Sequence, residues 1–339
     1  MLTKLLGQGS FGRVYLCRHA DNGMQACVKI EYLTSQMKLS QVAYEHRLYE
    51  SLCNTGARKY VPRSLCYGEE PGQYRYMVMT LGGPDLTHIV ASYTVDEKLR
   101  VFANVVRGLR AFHNAGMMHR DIKPRNILIK LSGRKTDVLL VDLGLAKRYS
   151  QYGVHIENSR KRTAVGTPRY ASVNSQMFFE NSRRDDLLSC VYTMVTVFGK
   201  RLPWEAVTGD REAKTRETLR LKRMLTPAVV CRGCPPCVTT IYHQAQQLAF
   251  AEKPYYGAYT VLLRDSMSAA NADEDEEDED QDDDDADEGN DDDDGNENDE
   301  GDEGDEGDEG DEGDEGEEDE GDEGDEGEED ERQRQVTTR

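Results

Sequence analysis

Residues 2 to 32 alternate short apolar runs with turn residues, the pattern of a meander of β-strands. From Leu39 to Cys53 the apolar positions move to helical spacing, with Val42, Leu48 and Leu52 among them. The segment from Tyr60 to Thr80 reads as two or three further strands and ends in YRYMVMTL, after which Gly82, Gly83 and Pro84 break the pattern. From Asp85 onward the periodicity is helical. It is clearest between Val95 and Gly116, where Leu99, Phe102, Val105, Val106, Leu109 and Phe112 share one buried face and Gly116 stands where a C-cap glycine ends a helix. Strands first and helices afterwards predict an α+β fold.

Composition divides the chain more sharply than periodicity does. Residues 273 to 331 contain no Lys or Arg and 43 of the 65 acidic residues, so the net charge of −23 conceals a body near +17 and a segment of −43. Such a body attracts polyanions: acidic or phosphorylated substrates, nucleic acid or anionic membrane. The acidic segment, with its DEG repeats, cannot bury apolar surface and is expected to be disordered. The N-terminus does not have the form of a secretory signal, and no apolar run approaches the roughly 20 residues of a membrane span. The eight scattered cysteines suit buried thiols in a reducing compartment, cytosol or nucleus. Cys231, Cys234 and Cys237 resemble half a zinc ribbon, but no fourth Cys or His with suitable spacing appears, His243 being the nearest candidate. No membrane association and a monomer are expected.

Candidate chemistry concentrates between His119 and Leu145, HRDIKPRNILIKLSGRKTDVLLVDLGL. A carboxylate, a lysine and an amide (Asp121, Lys123, Asn126) precede an apolar run and a second carboxylate, Asp142, followed by Gly144. Phosphoryl transfer from a metal-bound nucleotide needs this order: an acid facing the acceptor hydroxyl, an amide and a second acid on the metal, and a lysine near the moving phosphate. Gly7, Gly9 and Gly12, followed by Val14, form a GxGxxG loop whose backbone can approach phosphates; glycines at a hairpin turn are the alternative. Lys29, in the apolar run CVKIE, favours the phosphate reading, because a lysine there is costly unless its ammonium meets an anion. The expected partners are nucleotide phosphates and Glu45 on the next helix, Glu50 being a solvated charge. Gly82 marks a hinge where adenine could bond to backbone groups, with Met79 behind it.

The motifs HRDIKPRN, VDLGLAK, VGTPRYASVN, SRRDDLLS, RLPW and CRGCP…EKP, in this order, resemble those of eukaryotic protein kinases, and in particular of the casein kinase 1 family with its tau-tubulin kinase branch. The resemblance runs from about Leu2 to Met267. It implies a bilobal protein kinase fold: a small, mostly antiparallel β N-lobe with one main helix over 1–81, a larger helical C-lobe over 82–268, and an acidic tail over 269–339 outside it. It implies Ser/Thr phosphorylation with ATP and Mg²⁺. Asp121 would orient the acceptor hydroxyl, Lys123 would neutralise the phosphoryl group, Asn126 and Asp142 would hold Mg²⁺, and Lys29 with Glu45 would grip the nonreacting phosphates. Gly7, Gly9, Gly12, Val14, Met79, Gly82 and Leu128 would surround the nucleotide, and Asp186 would tie down the catalytic loop.

Arg120, Lys147, Arg162 and Arg169 match positions that in this family bind an anion, which implies acidic or pre-phosphorylated substrates; Lys222 and Arg223 align less closely, and Arg160 and Lys161 read as a solvated basic face. The chain departs from the pattern at Leu143, at Arg125, in the six residues before Gly7 and in the tail. A kinase-fold scaffold, feebly active or inactive and binding partners through a basic face and an acidic arm, is the alternative function. The tail itself reads as a salt-sensitive brake on acidic substrates, as a solubility tail, or as an arm for histones and other basic proteins, and Thr337 and Thr338 are candidate autophosphorylation sites.

Overall fold

Strands β1 (Leu2–Gly9), β2 (Gly12–Arg18), β3 (Gln25–Tyr32), β4 (Ser64–Glu70) and β5 (Tyr74–Thr80) form one antiparallel sheet in the order β1-β2-β3-β5-β4. The computed structural model that shows this describes residues 1–268 apart from 10–11, 34–39, 90 and 152. The expected disorder of the tail, with Thr337 and Thr338, therefore lies outside the described residues. Strand β3 is central, and every residue from Ala26 to Glu31 is buried, so both its faces are covered.

Helix α1 (Gln41–Leu52) covers one face of the sheet. Its N-cap, Ser40, accepts the Ala43 amide at 3.0 Å and donates its hydroxyl to Glu31 at 2.5 Å, so the helix starts from strand β3. Val42, Tyr49 and Leu52 enter a cluster with Cys27, Met77, Met79 and, from later in the chain, Phe112 and Leu143. Each such side chain contributes roughly 1.5–3 kcal/mol on burial. This cluster physically links the sheet to the helical part of the chain.

After the turn of Leu86–Ile89 (α2), helix α3 (Val95–Asn114) opens with a capping box between Thr94 and Glu97. It ends at Gly116, whose φ of +74° and N–H bond to the His113 carbonyl at 2.9 Å suit a residue without a side chain. Short strands β6 (Met117–Met118), β7 (Ile127–Ile129), β8 (Val138–Leu140) and β9 (Lys147–Arg148) pair as β6 with β9 and β7 with β8. The short helix α4 (Val173–Gln176) precedes α5 (Arg183–Val197), which is buried nearly all round. Helices α6 (Arg211–Met224), α7 (Pro227–Val230), α8 (Pro236–Gln247) and α9 (Tyr256–Asp265) complete the helical part, with α9 against α3 and α8 against α5. The fold is α+β, a small antiparallel lobe joined to a larger helical one.

The joint leans on the β7–β8 hairpin. The Gly83 amide donates to the Ile129 carbonyl at 2.8 Å, and Ile129 returns a bond to Pro84 at 3.0 Å. A Cβ on Gly82 would stand 2.6 Å from Leu128 Cδ1, and one on Gly83 2.6 Å from the Ile129 carbonyl oxygen. Glycine is required at position 83 by the approach of backbone, whereas at position 82 a side chain would only have to displace the end of Leu128.

Among the described residues no helix is long and apolar enough to cross a membrane. All eight cysteines are free thiols, but Cys53 and Cys66 are exposed, which corrects the expectation of burial for those two.

Candidate active site

Lys29 lies on β3, whose neighbours leave it only 7% exposed. Its Nζ donates to Glu45 Oε1 at 2.5 Å and to Asp142 Oδ1 at 2.9 Å. Glu45, on the inner face of α1, is the acid that meets the lysine; Glu50 faces solvent beside His46. The Lys29–Glu45 pair is buried, so removing one partner would cost on the order of 3–5 kcal/mol. Burial opposes the Lys29 charge, yet the two carboxylates outweigh it and hold its pKa above the usual lysine value. Burial also pushes the Glu45 carboxyl up, to about 7, against the pull of Lys29, and Glu45 Oε2 is buried without a hydrogen-bond partner. Asp142 is more open: burial works against its charge, but Lys29 and Lys123 more than compensate, and its pKa lies below the usual value.

Asp142 adopts a left-handed backbone, φ +66°, immediately before the helical turn Leu143–Leu145. Aspartate tolerates this conformation at a cost, and α1 supplies the compensation. The Asp142 amide donates to the Tyr49 hydroxyl at 3.2 Å, Tyr44 donates to the Ala146 carbonyl at 2.7 Å, and the Gln41 side chain donates to the Gly144 carbonyl. Leu143 is wholly buried in the cluster beneath α1, so the apolar size at that position suffices for packing.

The loop before β7 brings the remaining groups into contact. Lys123 Nζ lies 2.5 Å from Asp121 Oδ2, and Asn126 Nδ2 donates to the Asp121 carbonyl at 2.9 Å and to Oδ2 at 3.2 Å. The loop is fixed from behind by Asp186 on α5, which accepts the Arg120 amide at 2.7 Å on Oδ1, and on Oδ2 the His119 amide at 2.8 Å and His113 at 2.9 Å. Arg120 too has a left-handed backbone, φ +66°, held by that bond. Burial alone would raise the Asp186 pKa, but His113 and the donated bonds bring it below the usual value. The spacing of Asp121, Asn126 and Asp142 thus resolves into one site because α1 and α5 clamp the two loops from opposite sides.

Gly7, Gly9 and Gly12 lie on the β1–β2 hairpin, with Gly7 paired to Val14 and Gly9 to Gly12. Gly12 has φ +138°, and a Cβ there would stand 2.4 Å from the Ile30 carbonyl oxygen, so backbone geometry demands it. Cβ atoms on Gly7 and Gly9 would meet nothing within 4 Å. Nothing in the protein itself excludes side chains at those two positions, which leaves room for a phosphate chain as the fit. Asn126 spends its amide nitrogen inward and has its oxygen left for a ligand, and Asp142 adds carboxylate oxygens: a hard-cation donor set of the kind Mg²⁺ completes with water and phosphate oxygens. Among the described residues no group of three or more His, Cys, Asp or Glu could hold a metal ion, and this covers the Cys231–Cys237 segment.

The basic residues do not gather as a single pocket. Lys147 and Lys161 each lie 2.8 Å from Glu180, and Arg120 stands 3.8 Å from it while its Nε donates to the Leu145 carbonyl. Glu180 is 5% exposed, and burial of its charge is outweighed by Lys147 and Lys161, which keep its pKa below the usual value. Lys161 is therefore no solvated charge: it is half-buried, also bonds Asn181 at 2.8 Å, and corrects that expectation. Arg162 is exposed. Arg169 points elsewhere, its guanidinium 3.9 Å from Glu205. Lys222 is buried, so it does not belong to a basic surface either. Two residues were given no role by the sequence reading: Glu180, and Thr167, which stood there only as part of the motif VGTPRYASVN. Thr167 donates its amide and its hydroxyl to Asp121 Oδ1, and its hydroxyl accepts from Lys123 at 2.9 Å. The motif placed Thr167 in a kinase-like segment, and Gly166 and Pro168 on either side of it marked a bend, but neither pointed to a contact with Asp121.

A β lobe hinged to a helical lobe, with a lysine, two acids, an amide and a glycine hairpin converging between them, defines a phosphotransferase of the kinase type. A sequence model of the protein kinase domain matches residues 1–248, and the chain belongs to the protein kinase family.

Proposed function

We propose that the chain is a serine/threonine protein kinase of the casein kinase 1 branch, using ATP and Mg²⁺ to phosphorylate acidic or pre-phosphorylated proteins. The observation that carries this reading is the convergence of Lys29, Glu45 and Asp142 with Asp121, Lys123 and Asn126. When bound, the magnesium nucleotide supplies the phosphoryl group and the charge neutralisation of its oxygens.

The protein's own groups divide the remaining work. Lys29, oriented by Glu45, would bind the nonreacting phosphates, and Asn126 and Asp142 would hold the metal. Asp121 orients the acceptor hydroxyl and receives its proton at Oδ2. Its contribution is chiefly alignment of that hydroxyl. Lys123, bonded to Asp121 Oδ2, would neutralise the phosphoryl oxygens. Val14, Met79, Gly82 and Leu128 would line the base, and Leu128 lies 2.6 Å from where a Cβ on Gly82 would stand.

Acid preference is supported by the cluster beside the catalytic loop. Arg120, Lys147 and Lys161 carry three positive charges against the single carboxylate of Glu180, so a net positive patch remains for a substrate anion, with Arg162 exposed close by in sequence. Arg169 forms a second, separate contact point near Glu205.

The test is phosphorylation of a panel of acidic, phosphorylated and neutral Ser, Thr and Tyr peptides by the wild type and by Asp142→Asn. The expected result is transfer to Ser and Thr peptides bearing acids or phosphate, with the variant slower by orders of magnitude. Tyr-directed transfer, or equal rates for the two proteins, would defeat the reading.

A further inference from the structure

Helix α6 reads REAKTRETLRLKRM, the composition of a solvated helix, yet Lys222 in its last turn is only 1% exposed. Burying an ammonium is expensive unless it is compensated. Among the described residues no carboxylate lies within ion-pair distance of it. Its Nζ instead donates to the Pro168 carbonyl at 2.8 Å and the Ala171 carbonyl at 2.6 Å. The ammonium is flanked by the rings of Tyr192 and Trp204, at 5.0 and 4.8 Å from their centroids. On its open side Lys222 borders a cavity whose other charged lining groups, Arg184 from α5 and Arg223 from α6, are also cationic.

The two carbonyls belong to the loop from Thr167 to Ala171, and this loop has almost no freedom left. Gln176 donates to the Pro168 carbonyl at 2.6 Å and Trp204 Nε1 to the Arg169 carbonyl at 2.8 Å. Inside the loop, the amides of Tyr170 and Ala171 both donate to the Thr167 carbonyl, at 2.9 and 2.8 Å. The carbonyls of Thr167, Pro168, Arg169 and Ala171 are thus all engaged by protein donors, while the side chains of Pro168 and Arg169 are exposed. At its start the loop is bonded to the acid, through Thr167 and Asp121. Pro168 and Arg169, both exposed, directly follow in the chain the residue that bonds Asp121, so a polypeptide whose hydroxyl reaches Asp121 would meet them.

We propose that Lys222 is a positioning residue for the protein substrate: it holds the Thr167–Ala171 loop in the shape that receives the peptide beside the acceptor hydroxyl. It touches neither substrate nor nucleotide. The proposal deepens, and rests on, the reading of the chain as a kinase acting on proteins. A methionine in its place would fill much of the same volume and remove the cost of a buried charge, so packing alone does not call for lysine.

The experiment compares Lys222→Met and Lys222→Arg with the wild type, each as the full chain, using an acidic Ser peptide and following amide hydrogen exchange. Lys222→Met is expected to raise the peptide KM about tenfold, equivalent to about 1.4 kcal/mol, with the ATP KM and the melting temperature little changed. The amides of Tyr170 and Ala171 should exchange faster in that variant, and Lys222→Arg should restore both readings. An unchanged peptide KM with unchanged exchange would overturn the proposal. So would equal loss of peptide and ATP affinity with a lowered melting temperature, which would mark Lys222 as a general packing residue. Were the wild type inactive on every peptide, the kinase reading would fail by itself, and the exchange rates alone would still decide whether Lys222 holds the loop.

Discussion

Thr167 directs both its backbone N–H and its hydroxyl at one oxygen of Asp121, Oδ1, each at 2.8 Å. The other oxygen of Asp121 is left to Lys123 and Asn126, so the threonine decides which lone pairs of the acid can face a substrate. Thr167→Val keeps the shape and the amide bond but removes the hydroxyl. It is expected to lower kcat by about 10- to 100-fold, or roughly 1.4–2.7 kcal/mol, with little change in the ATP KM, while Thr167→Ser should stay within a few-fold of the wild type. Steady-state kinetics on a peptide substrate measure this directly, and parity between the valine and serine variants would contradict the assigned role.

Glu180 gathers Arg120, Lys147 and Lys161, which come from the catalytic loop, strand β9 and the segment before the Gly166–Arg169 turn. Glu180→Gln keeps the volume and leaves three cations without their counter-charge. A loss of about 2–4 kcal/mol in stability is expected from the broken buried pairs. At the same time a phosphorylated peptide should bind more tightly, because the substrate's anion becomes the only neutralising charge. Thermal melting with and without a phosphopeptide reads both effects, and a phosphopeptide that stabilises the variant no more than the wild type would argue against the cluster as an anion site.

Asp186 has its pKa below the usual carboxylate value in the folded protein. Its stabilising contribution is therefore present above the unfolded-state pKa near 3.9 and is lost as pH falls through the lower folded value. Asp186→Asn should melt well below the wild type at neutral pH, with the gap narrowing under acid as the wild type loses the same contribution. A gap that stayed constant across the acid range would mean that the charge of Asp186 contributes nothing to holding the catalytic loop.

Burial pushes the Lys222 ammonium down, to about 7, with no carboxylate facing it to restore the usual value. Below that pH the charged form makes the stronger bonds to Pro168 and Ala171; above it they weaken. The peptide KM of the wild type should rise between about pH 6 and about pH 8.5, and that of Lys222→Arg, whose side chain stays charged, should not. Parallel pH profiles for the two proteins would refute the link.

Much of the candidate site was legible in the chain because its groups are written in short offsets. Asp121, Lys123 and Asn126 fall within one loop, Asp142 sits beside a glycine, and a lysine inside an apolar strand announces an anion. The choice of Glu45 over Glu50 could be made from helix periodicity, since only one of them shares the face of Val42 and Leu52. The basic residues were harder. Arg120, Lys147, Lys161, Arg162 and Arg169 look alike in sequence, and which of them meet depends on Glu180 and Glu205, two acids that sequence pattern does not tell apart from solvated ones.

The sequence by itself determined the order of strands and helices, the glycine hairpin and the acids that phosphoryl transfer needs, because periodicity and residue chemistry are local properties. Only the tertiary structure decided that Lys29 meets Asp142 113 positions away, that Thr167 returns to Asp121, that Glu180 neutralises three bases, and that Lys222 is enclosed. Those contacts are made by loops that α1, α5 and α6 hold in place through buried hydrogen bonds, and a side chain's burial depends on what folds over it from elsewhere in the chain.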